Sequence, residues 1–187
     1  DQRSPARHPD WLGPDDLFLK VQELRELTKN KVPIQLKLGA AKVYDDVRMA
    51  AKCNPDSIFL DGMEGSTGAG PHIAAANTGI PGIAAIREAR RALDDVNKTG
   101  KVTLIYAGGV RDGADMAKAL ALGADYVFHS ATKFLNGHGS ALNGVLVGKD
   151  LEFMNTKVWK WHALLGGNSN AFDAYLLIQG MKTLELR

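Results

Sequence analysis

The stretch from Val102 to Phe128 reads VTLIYAGGVRDGADMAKALALGADYVF and joins two apolar strands through a helix. The first strand stops at Gly108-Gly109, and the helical pattern runs from Asp112 to Leu122. A strand that returns through a helix to a parallel neighbour forms a right-handed unit in almost all proteins. The stretch therefore predicts a parallel α/β sheet.

The residues before this unit follow the same alternation of helix and strand. Pro14, Asp15 and Asp16 predict the start of a helix, since proline suits the first position of a helix and acids favour its positive end. Further patterns predict strands at Pro33–Leu38 and Ser57–Asp61 and helices at Tyr44–Cys53 and Pro81–Val96. Four consecutive units of this kind make either half of an eight-stranded barrel or an open doubly wound sheet.

The pattern changes after His129. Leu142–Val147 is predicted to be another strand, followed by helices at Glu152–Leu165 and Ala171–Leu186. No low-complexity linker separates this part from the first. We therefore expect the change to fall inside one helix–strand unit.

The composition excludes several classes of protein. The 187 residues are 45% hydrophobic and 24% charged, and their net charge of +2 indicates no attraction to nucleic acid or to acidic membranes. No apolar run approaches the ~20 residues of a membrane span. Cys53 is the only cysteine, which excludes an internal disulfide and fits the reducing cytoplasm.

Three features indicate a phosphate-bearing ring cofactor. Gly108 and Gly109 lie between a strand and a helix N-terminus, where backbone N–H groups can approach a phosphate. The loop Asp61–Gly70 carries carboxylates, hydroxyls and glycines just beyond another strand, and Lys37 ends an apolar strand. A tight turn, a flexible connection and a solvated lysine are the alternatives for these three features.

The chain from Arg3 to Val127 resembles the FMN-binding domain of glutamate synthases, above all the stand-alone archaeal type. The matching stretches are Gln35–Leu38, Asp61–Ala69 and Ala107–Asp125. The resemblance implies the second half of a barrel, with Lys37 beside the flavin and Gly108 and Gly109 on its phosphate. It implies that the following residues of the glycine-rich loop lie near the ring: Asp61, Gly62, Glu64, Gly65, Thr67 and Gly68.

The chain departs from that family in two ways. The first half of the barrel would precede Asp1. The Gly-Thr pair and the cluster cysteines that follow the fourth strand in the family are missing from this sequence. We therefore expect no iron–sulfur cluster here.

A second group of residues follows the fourth predicted strand. Lys133 is flanked by the hydroxyls of Ser130 and Thr132, an arrangement in which a lysine can form an imine while hydroxyls hold a phosphate. His129–Gly139 and Ala171–Arg187 resemble the lysine segment of PLP-dependent cystathionine synthases and lyases. The resemblance implies that Lys133 is the Schiff-base lysine.

The PLP-family resemblance is incomplete. The partner of the pyridine nitrogen, the ring-stacking tyrosine and the substrate-binding arginine of that family are not identifiable in this sequence. Gln179 replaces an arginine that is usual at its position.

The sequence therefore predicts a chimera of two parts, residues 1–127 from an FMN half barrel and residues 128–187 from a PLP-transferase large domain. The favoured function is an incomplete FMN-dependent oxidoreductase of glutamate synthase type, inactive alone. The alternatives are a PLP-dependent lyase or synthase of cysteine and methionine metabolism and a non-catalytic scaffold. The open strand edges of a half barrel also predict self-association.

Overall fold

The computed structural model describes residues 8–65 and 69–187. Within them a single sheet is formed in the order β1-β2-β3-β4-β5. The first four strands are parallel and β5 runs antiparallel to β4. This confirms an α/β fold with a mostly parallel sheet. The strands are β1 Gln35–Gly39, β2 Ser57–Asp61, β3 Thr103–Ala107, β4 Tyr126–His129 and β5 Val145–Gly148.

The helices alternate with the parallel strands and then follow β5. A π-helical turn, Met154–Val158, joins two of them into one continuous helical run, residues 151–165. The helices are α1 Pro14–Leu27, α2 Val43–Lys52, α3 His72–Asn77, α4 Gly82–Asp95, α5 Gly113–Leu122, α6 Leu151–Phe153, α7 Trp159–Leu165 and α8 Ala171–Met181.

Most predicted boundaries agree with these elements to within a few residues, and three details differ. The helix α3 was not predicted, because six residues are too few to show a periodicity. The last helix ends at Met181, where the Thr183 hydroxyl donates to Gly180 O at 3.1 Å and turns the chain. The strand predicted at Leu142–Val147 is β5, whose direction the sequence pattern did not indicate.

One face of the sheet is buried by the helices. The buried strand residues alternate along β1 to β4 and include Leu36, Ile58, Leu60, Leu104, Tyr106 and Val127. They pack against α2, α4 and α5, and α4 presents the fully buried alanines Ala85, Ala89 and Ala92. Small side chains let the helix approach the sheet closely, so this layer forms a dense core.

The other face of the sheet carries no such helix layer. Phe59, Ile105, Phe128 and Leu146 lie on it, and Phe128 and Leu146 are 38% and 39% exposed. The rings of Phe59 and Phe128 lie 5.9 Å apart in a tilted contact. At β4, Phe153 of the C-terminal helical run reaches the ring of Tyr126, also at 5.9 Å. The uncovered face is therefore apolar around these four residues and only partly shielded, whereas Gln35, Lys37, Ser57 and Asp61 make its β1–β2 side polar.

The connection between β4 and β5 explains why β5 is antiparallel. It comprises residues 130–144, which form turns and contain no helix. A parallel neighbour needs a crossover that usually contains a helix, whereas an antiparallel neighbour needs only a return of the chain. The loop that carries Lys133 thus sets the direction of β5.

We predict that Gly82→Ala lowers the free energy of unfolding by about 1–3 kcal/mol, the usual cost of overpacking a core. A Cβ at Gly82, the first residue of α4, would lie 2.6 Å from the Tyr106 ring. The expected loss occurs although alanine favours a helix more than glycine does. Urea unfolding followed by circular dichroism measures the change.

The matched control is Gly113→Ala, at the first residue of α5. A Cβ there has no heavy atom within 4 Å, so we expect no loss of stability and a gain of up to about 1 kcal/mol. Equal effects of the two substitutions would contradict the proposed contact between Gly82 and Tyr106.

Candidate functional site

The carboxyl ends of β1, β2 and β3 meet at one edge of the sheet, because these strands are parallel and in register. The Nζ atom of Lys37 on β1 lies 2.9 Å from Oδ2 of Asp61, the last residue of β2. The same nitrogen lies 5.2 Å from the centre of the Phe59 ring. The structure thus brings two predicted site residues, Lys37 and Asp61, together on the uncovered face.

Three glycines bring backbone segments into direct contact at this edge. Gly62 N donates to Ala107 O at 2.9 Å and so continues the β2–β3 pairing. A Cβ at Gly108 would lie 2.7 Å from Gly62 N, and one at Gly62 would lie 2.8 Å from Gly82 Cα. Gly62 and Gly108, predicted to bind a cofactor, therefore also have a structural reason to be glycine.

The carboxylate of Glu64 lies at the N-terminus of α4. Its two oxygens accept from Gly82 N at 3.1 and 3.2 Å, where the helix dipole favours a negative charge. A Cβ at Gly109 would lie 2.7 Å from Glu64 Cδ. Glu64 therefore lies against the predicted phosphate turn and does not extend over the uncovered face of the sheet.

The glycine turn after β3 has a backbone that suits a phosphate. Gly108 and Gly109 adopt φ angles of +103° and +63°, which glycine adopts readily, and α5 begins four residues later. Peptide N–H groups of such turns can hold an anion. The fit has one obstacle, since a phosphate bound here would lie beside the carboxylate of Glu64.

The N-terminus of α5 is already satisfied by acidic side chains. The Asp112 carboxylate caps the helix by accepting from Asp115 N at 2.9 Å. Asp115 accepts from Arg111 Nε at 2.9 Å, and this hydrogen bond lowers the pKa of Asp115 to about 2 despite its burial. Lys118 adds a further hydrogen bond of 3.3 Å to the same carboxylate. Arg111, the cation nearest in sequence to the glycine turn, is therefore paired with Asp115.

The rest of the glycine-rich loop is described in part. Gly65 lies next to Asp61, since a Cβ there would be 3.2 Å from Oδ1 of that carboxylate. Thr67 and Gly68, which were predicted to bind the cofactor, lie outside the described residues.

Sequence reasoning missed Tyr106 as part of this edge. Its hydroxyl donates to Gly108 O and thereby fixes the turn. Burial, together with the nearby carboxylates of Glu64, Asp115 and Asp61, raises the pKa of the Tyr106 phenol. Its position two residues before the glycine pair was the available signal, but a tyrosine in an apolar strand usually indicates core packing.

The second predicted group lies on the loop after β4. Because β4 is parallel to β3, Lys133 follows the same edge of the sheet as Gly108. Lys133 is exposed, and its backbone N–H donates to Ser130 O at 3.1 Å. The Thr132 hydroxyl donates to Asn143 O at 3.1 Å and accepts from Asn143 N at 2.9 Å. The proton of that hydroxyl is therefore committed to the protein backbone.

The C-terminal segment holds this loop in place. Gly180 of α8 packs directly on the backbone of Asn136, where a Cβ would collide with the Asn136 carbonyl. Nη2 of Arg187 donates to the carbonyls of Phe134 and Leu135, both at 3.1 Å. Asn143 Nδ2 donates to Asp173 O at 3.1 Å. The loop carrying Lys133 is thus fixed by residues that follow it in the chain.

Two buried polar atoms beside this loop have no hydrogen-bond partner within the described part of the chain, namely His129 Nε2 and Asn136 Nδ2. Burial lowers the pKa of His129, which favours its neutral form. Residues 8–65 and 69–187 contain no cluster of acids, histidines and cysteine that could hold a metal ion. Over the same ranges, no helix has both the length and the apolar character required to cross a membrane.

The comparisons with known proteins match two kinds of enzyme. A family model described as the conserved region in glutamate synthase matches residues 1–140. A glutamate synthase large subunit-like protein of Rhizobium meliloti is 52% identical over 127 residues, which are 68% of this chain and 29% of that protein. The archaeal glutamate synthase (NADPH) of Methanocaldococcus jannaschii is 35% identical over 129 residues, or 25% of its length. The chain thus spans less than a third of these relatives.

The other matches are to enzymes of sulfur amino acids. An L-methionine gamma-lyase of Porphyromonas gingivalis is 49% identical over 72 residues, which are 38% of this chain and 18% of that protein. The solved structure of metB from Corynebacterium glutamicum has a TM-score of 0.61 at 21% identity, over 91% of this chain and 46% of its own. A cystathionine gamma synthase from Xanthomonas oryzae pv. oryzae has a TM-score of 0.57, also at 21% identity, over 89% of this chain and 46% of its own.

The two sets of matches concern different properties of the chain. At 21% identity the likeness to these solved structures concerns the fold alone. The family model, in contrast, matches the sequence over three quarters of the chain. Through residues 1–140, this chain belongs to the family of the conserved region in glutamate synthase.

Proposed function

We propose that the chain carries the cofactor-binding edge of an FMN-dependent oxidoreductase domain of glutamate synthase type, incomplete and inactive by itself. The observation that carries this proposal is the meeting of Lys37, Asp61 and the Gly108–Gly109 turn at one edge of the sheet. Membership in the glutamate synthase family supports it. The NADPH named for the archaeal relative belongs to a protein of which the matched segment covers only 25%.

A half barrel is part of this proposal. Consecutive parallel strands with helices on one face are what a segment of a (β/α)8 barrel has, whereas a doubly wound sheet has helices on both faces. The uncovered face with Lys37 and Phe59 would then correspond to the barrel interior. The proposed division into residues 1–127 and 128–187 falls inside β4 (Tyr126–His129). A cytoplasmic location completes the proposal.

The residues at this edge have distinct roles in the proposed site. The backbone N–H groups of Gly108 and Gly109 would hold the phosphate of the flavin, and Lys37 would lie beside its ring. A bound flavin supplies two-electron transfer. Asp61 holds the Lys37 ammonium in place by an ion pair next to the apolar Phe59. A cation at this position would stabilise negative charge that develops on a neighbouring ring.

We expect FMN fluorescence to be quenched on titration with the full chain, and Gly109→Leu to weaken binding at least tenfold by filling the phosphate turn. The matched control is Gly100→Leu, which also replaces a glycine of positive φ (+77°) but lies in a turn with open space around it. The control should bind FMN like the unchanged chain. Equal binding by Gly109→Leu and the unchanged chain would contradict the phosphate site.

We also predict that Glu64→Gln tightens FMN binding about fivefold. The substitution removes a negative charge beside Gly109 and keeps an oxygen that accepts from Gly82 N. Because Glu64 is exposed, a like charge about 4 Å away costs roughly 1 kcal/mol, the value for water-like surroundings, which corresponds to about fivefold in affinity. The gain should shrink at high salt, because salt screens exposed charges. Unchanged or weaker binding would show that Glu64 does not oppose the phosphate.

A second candidate function is PLP-dependent chemistry at Lys133. It is favoured by the likeness to PLP-transferase large domains over 91% of the chain. The exposed Lys133 fits an imine-forming lysine. The Thr132 hydroxyl, however, already donates its hydrogen bond to Asn143 O, so it has no hydrogen left to donate to a phosphate. The described residues therefore fit PLP poorly, and we assign no reaction step to it.

This second candidate is tested by borohydride reduction of the chain mixed with PLP, followed by peptide mass spectrometry. If the function holds, the pyridoxyl group is found on Lys133 ahead of the other lysines and is lost in Lys133→Ala. Lys149→Ala, which removes another exposed lysine beyond β5, is the control and should leave the labelling of Lys133 unchanged. Even labelling of all exposed lysines would rule the function out.

A further inference from the structure

The uncovered face of the sheet continues into a broad groove beside the C-terminal helices. Phe128 and Leu146 form its floor, and Phe153, Trp159 and Trp161 form its wall. The groove has a volume of 1260 Å³, and the two tryptophans are 64% and 62% exposed. We call these five residues, with Phe59 next to Phe128, the open apolar surface.

The surface area of the protein shows that this exposure is unusual. A compact monomer of 20.1 kDa is expected to expose about 8,700 Å². The chain exposes 12036 Å², or roughly 40% more than the value that this scaling gives. Ten residues lie outside the described ranges, too few to supply the difference. The excess, roughly 3,300 Å², is larger than the roughly 1,000–2,500 Å² that each subunit buries in an obligate homodimer.

We propose that the open apolar surface is the interface between two copies of this chain. Its area fits such a role. The sheet face measures about 24 by 16 Å, or roughly 400 Å², from the spacing of strands and residues. The exposed parts of Trp159 and Trp161 add roughly 300 Å². Together they approach the ~800 Å² per partner of a standard interface, and the groove walls supply the rest.

The chemistry of the surface suits a second copy better than a charged partner. Its six defining side chains are apolar or aromatic, and Lys37 at its border is already paired with Asp61. A two-fold axis places the same patch on itself, so its six apolar side chains meet one another, and the groove lining adds one cation and one anion, Lys157 and Asp173. The net charge of +2 leaves little repulsion between whole copies.

The ends of the sheet add to this argument. In the described residues, β1 and β5 each pair with one strand only, so each leaves one row of backbone groups without a strand partner. Exposed edges of this kind favour association of chains. β5 also lies at the groove through Leu146, so its free edge adjoins the open apolar surface. The inference is independent of which cofactor the chain binds.

Sedimentation velocity of the full chain over roughly 1–100 µM tests the proposal, since interfaces of this size have dissociation constants from micromolar downwards. We expect a species of twice 20.1 kDa whose population rises with concentration. Trp159→Asp should raise the dissociation constant at least tenfold, since exposed aromatic residues dominate such interfaces. Phe128→Asp, on the floor of the groove, should act in the same direction.

The control is Leu27→Asp, which places the same charge on a 72% exposed leucine of α1, on the helix-covered side of the sheet. It should leave the dimer unchanged. Circular dichroism shows whether each variant is folded, and the exposed Trp159 keeps the test valid if Phe128→Asp unfolds the chain. A monomer at every concentration, or a dimer that Leu27→Asp disrupts and Trp159→Asp does not, would overturn the proposal.

Discussion

The packing of α4 against one face of the parallel sheet is the interaction on which the rest of the structure depends. Ala85, Ala89 and Ala92 of this helix are completely buried in one core with the inward residues of the central strands β2 and β3. Parallel sheets are normally covered on both faces, because their backbone and apolar side chains need shielding from water. Here the helices supply one layer only. The side chains on the opposite face, including Lys37, Phe59 and Phe128, are therefore not covered by a helix layer.

The same packing shapes the candidate site. Since α4 starts at Gly82, directly beside Gly62, its N-terminus meets the ends of β2 and β3. The positive end of the helix attracts the carboxylate of Glu64, which in turn lies against Gly109. At this edge of the sheet the backbone of the glycine turn suits an anion, whereas the nearby side chains of Asp61 and Glu64 are themselves acidic. A phosphate held at Gly109, as proposed, would lie in the region that the Glu64 carboxylate occupies, so the charge of residue 64 would oppose it.

Much of the fold followed from the sequence because periodicity reports which side of each strand or helix is buried. Ser57–Asp61 was predicted to be a strand and forms β2 with the same bounds, and Asp112 caps α5 where the helix was expected to begin. The direction of β5 depends on the loop of residues 130–144, which contains turns without a repeating pattern. The commitment of the Thr132 hydroxyl to Asn143 could not be predicted either, since it joins residues eleven positions apart through tertiary contact.

The sequence predicted most residues of the candidate site, but not how their side chains are arranged in space. Lys37 and Asp61 were expected at neighbouring strand ends, and register between parallel strands makes their ion pair possible. The position of Glu64 depends on where α4 begins in space, which a linear pattern does not contain. Tyr106 was missed for a related reason. Its hydroxyl reaches Gly108 O only because Gly82 leaves room for its ring.

The strand β4 explains how segments resembling two families can share one sheet. Val127 is buried under the helices, Phe128 lies on the open face, and His129 is buried again. A change of one residue in register would reverse this alternation and place Phe128 in the helix layer. The proposed boundary after residue 127 preserves the alternation, and β5 then needs only the free side of β4. A boundary within a strand is compatible with folding when the face of every side chain is kept, and this requirement is met in β4.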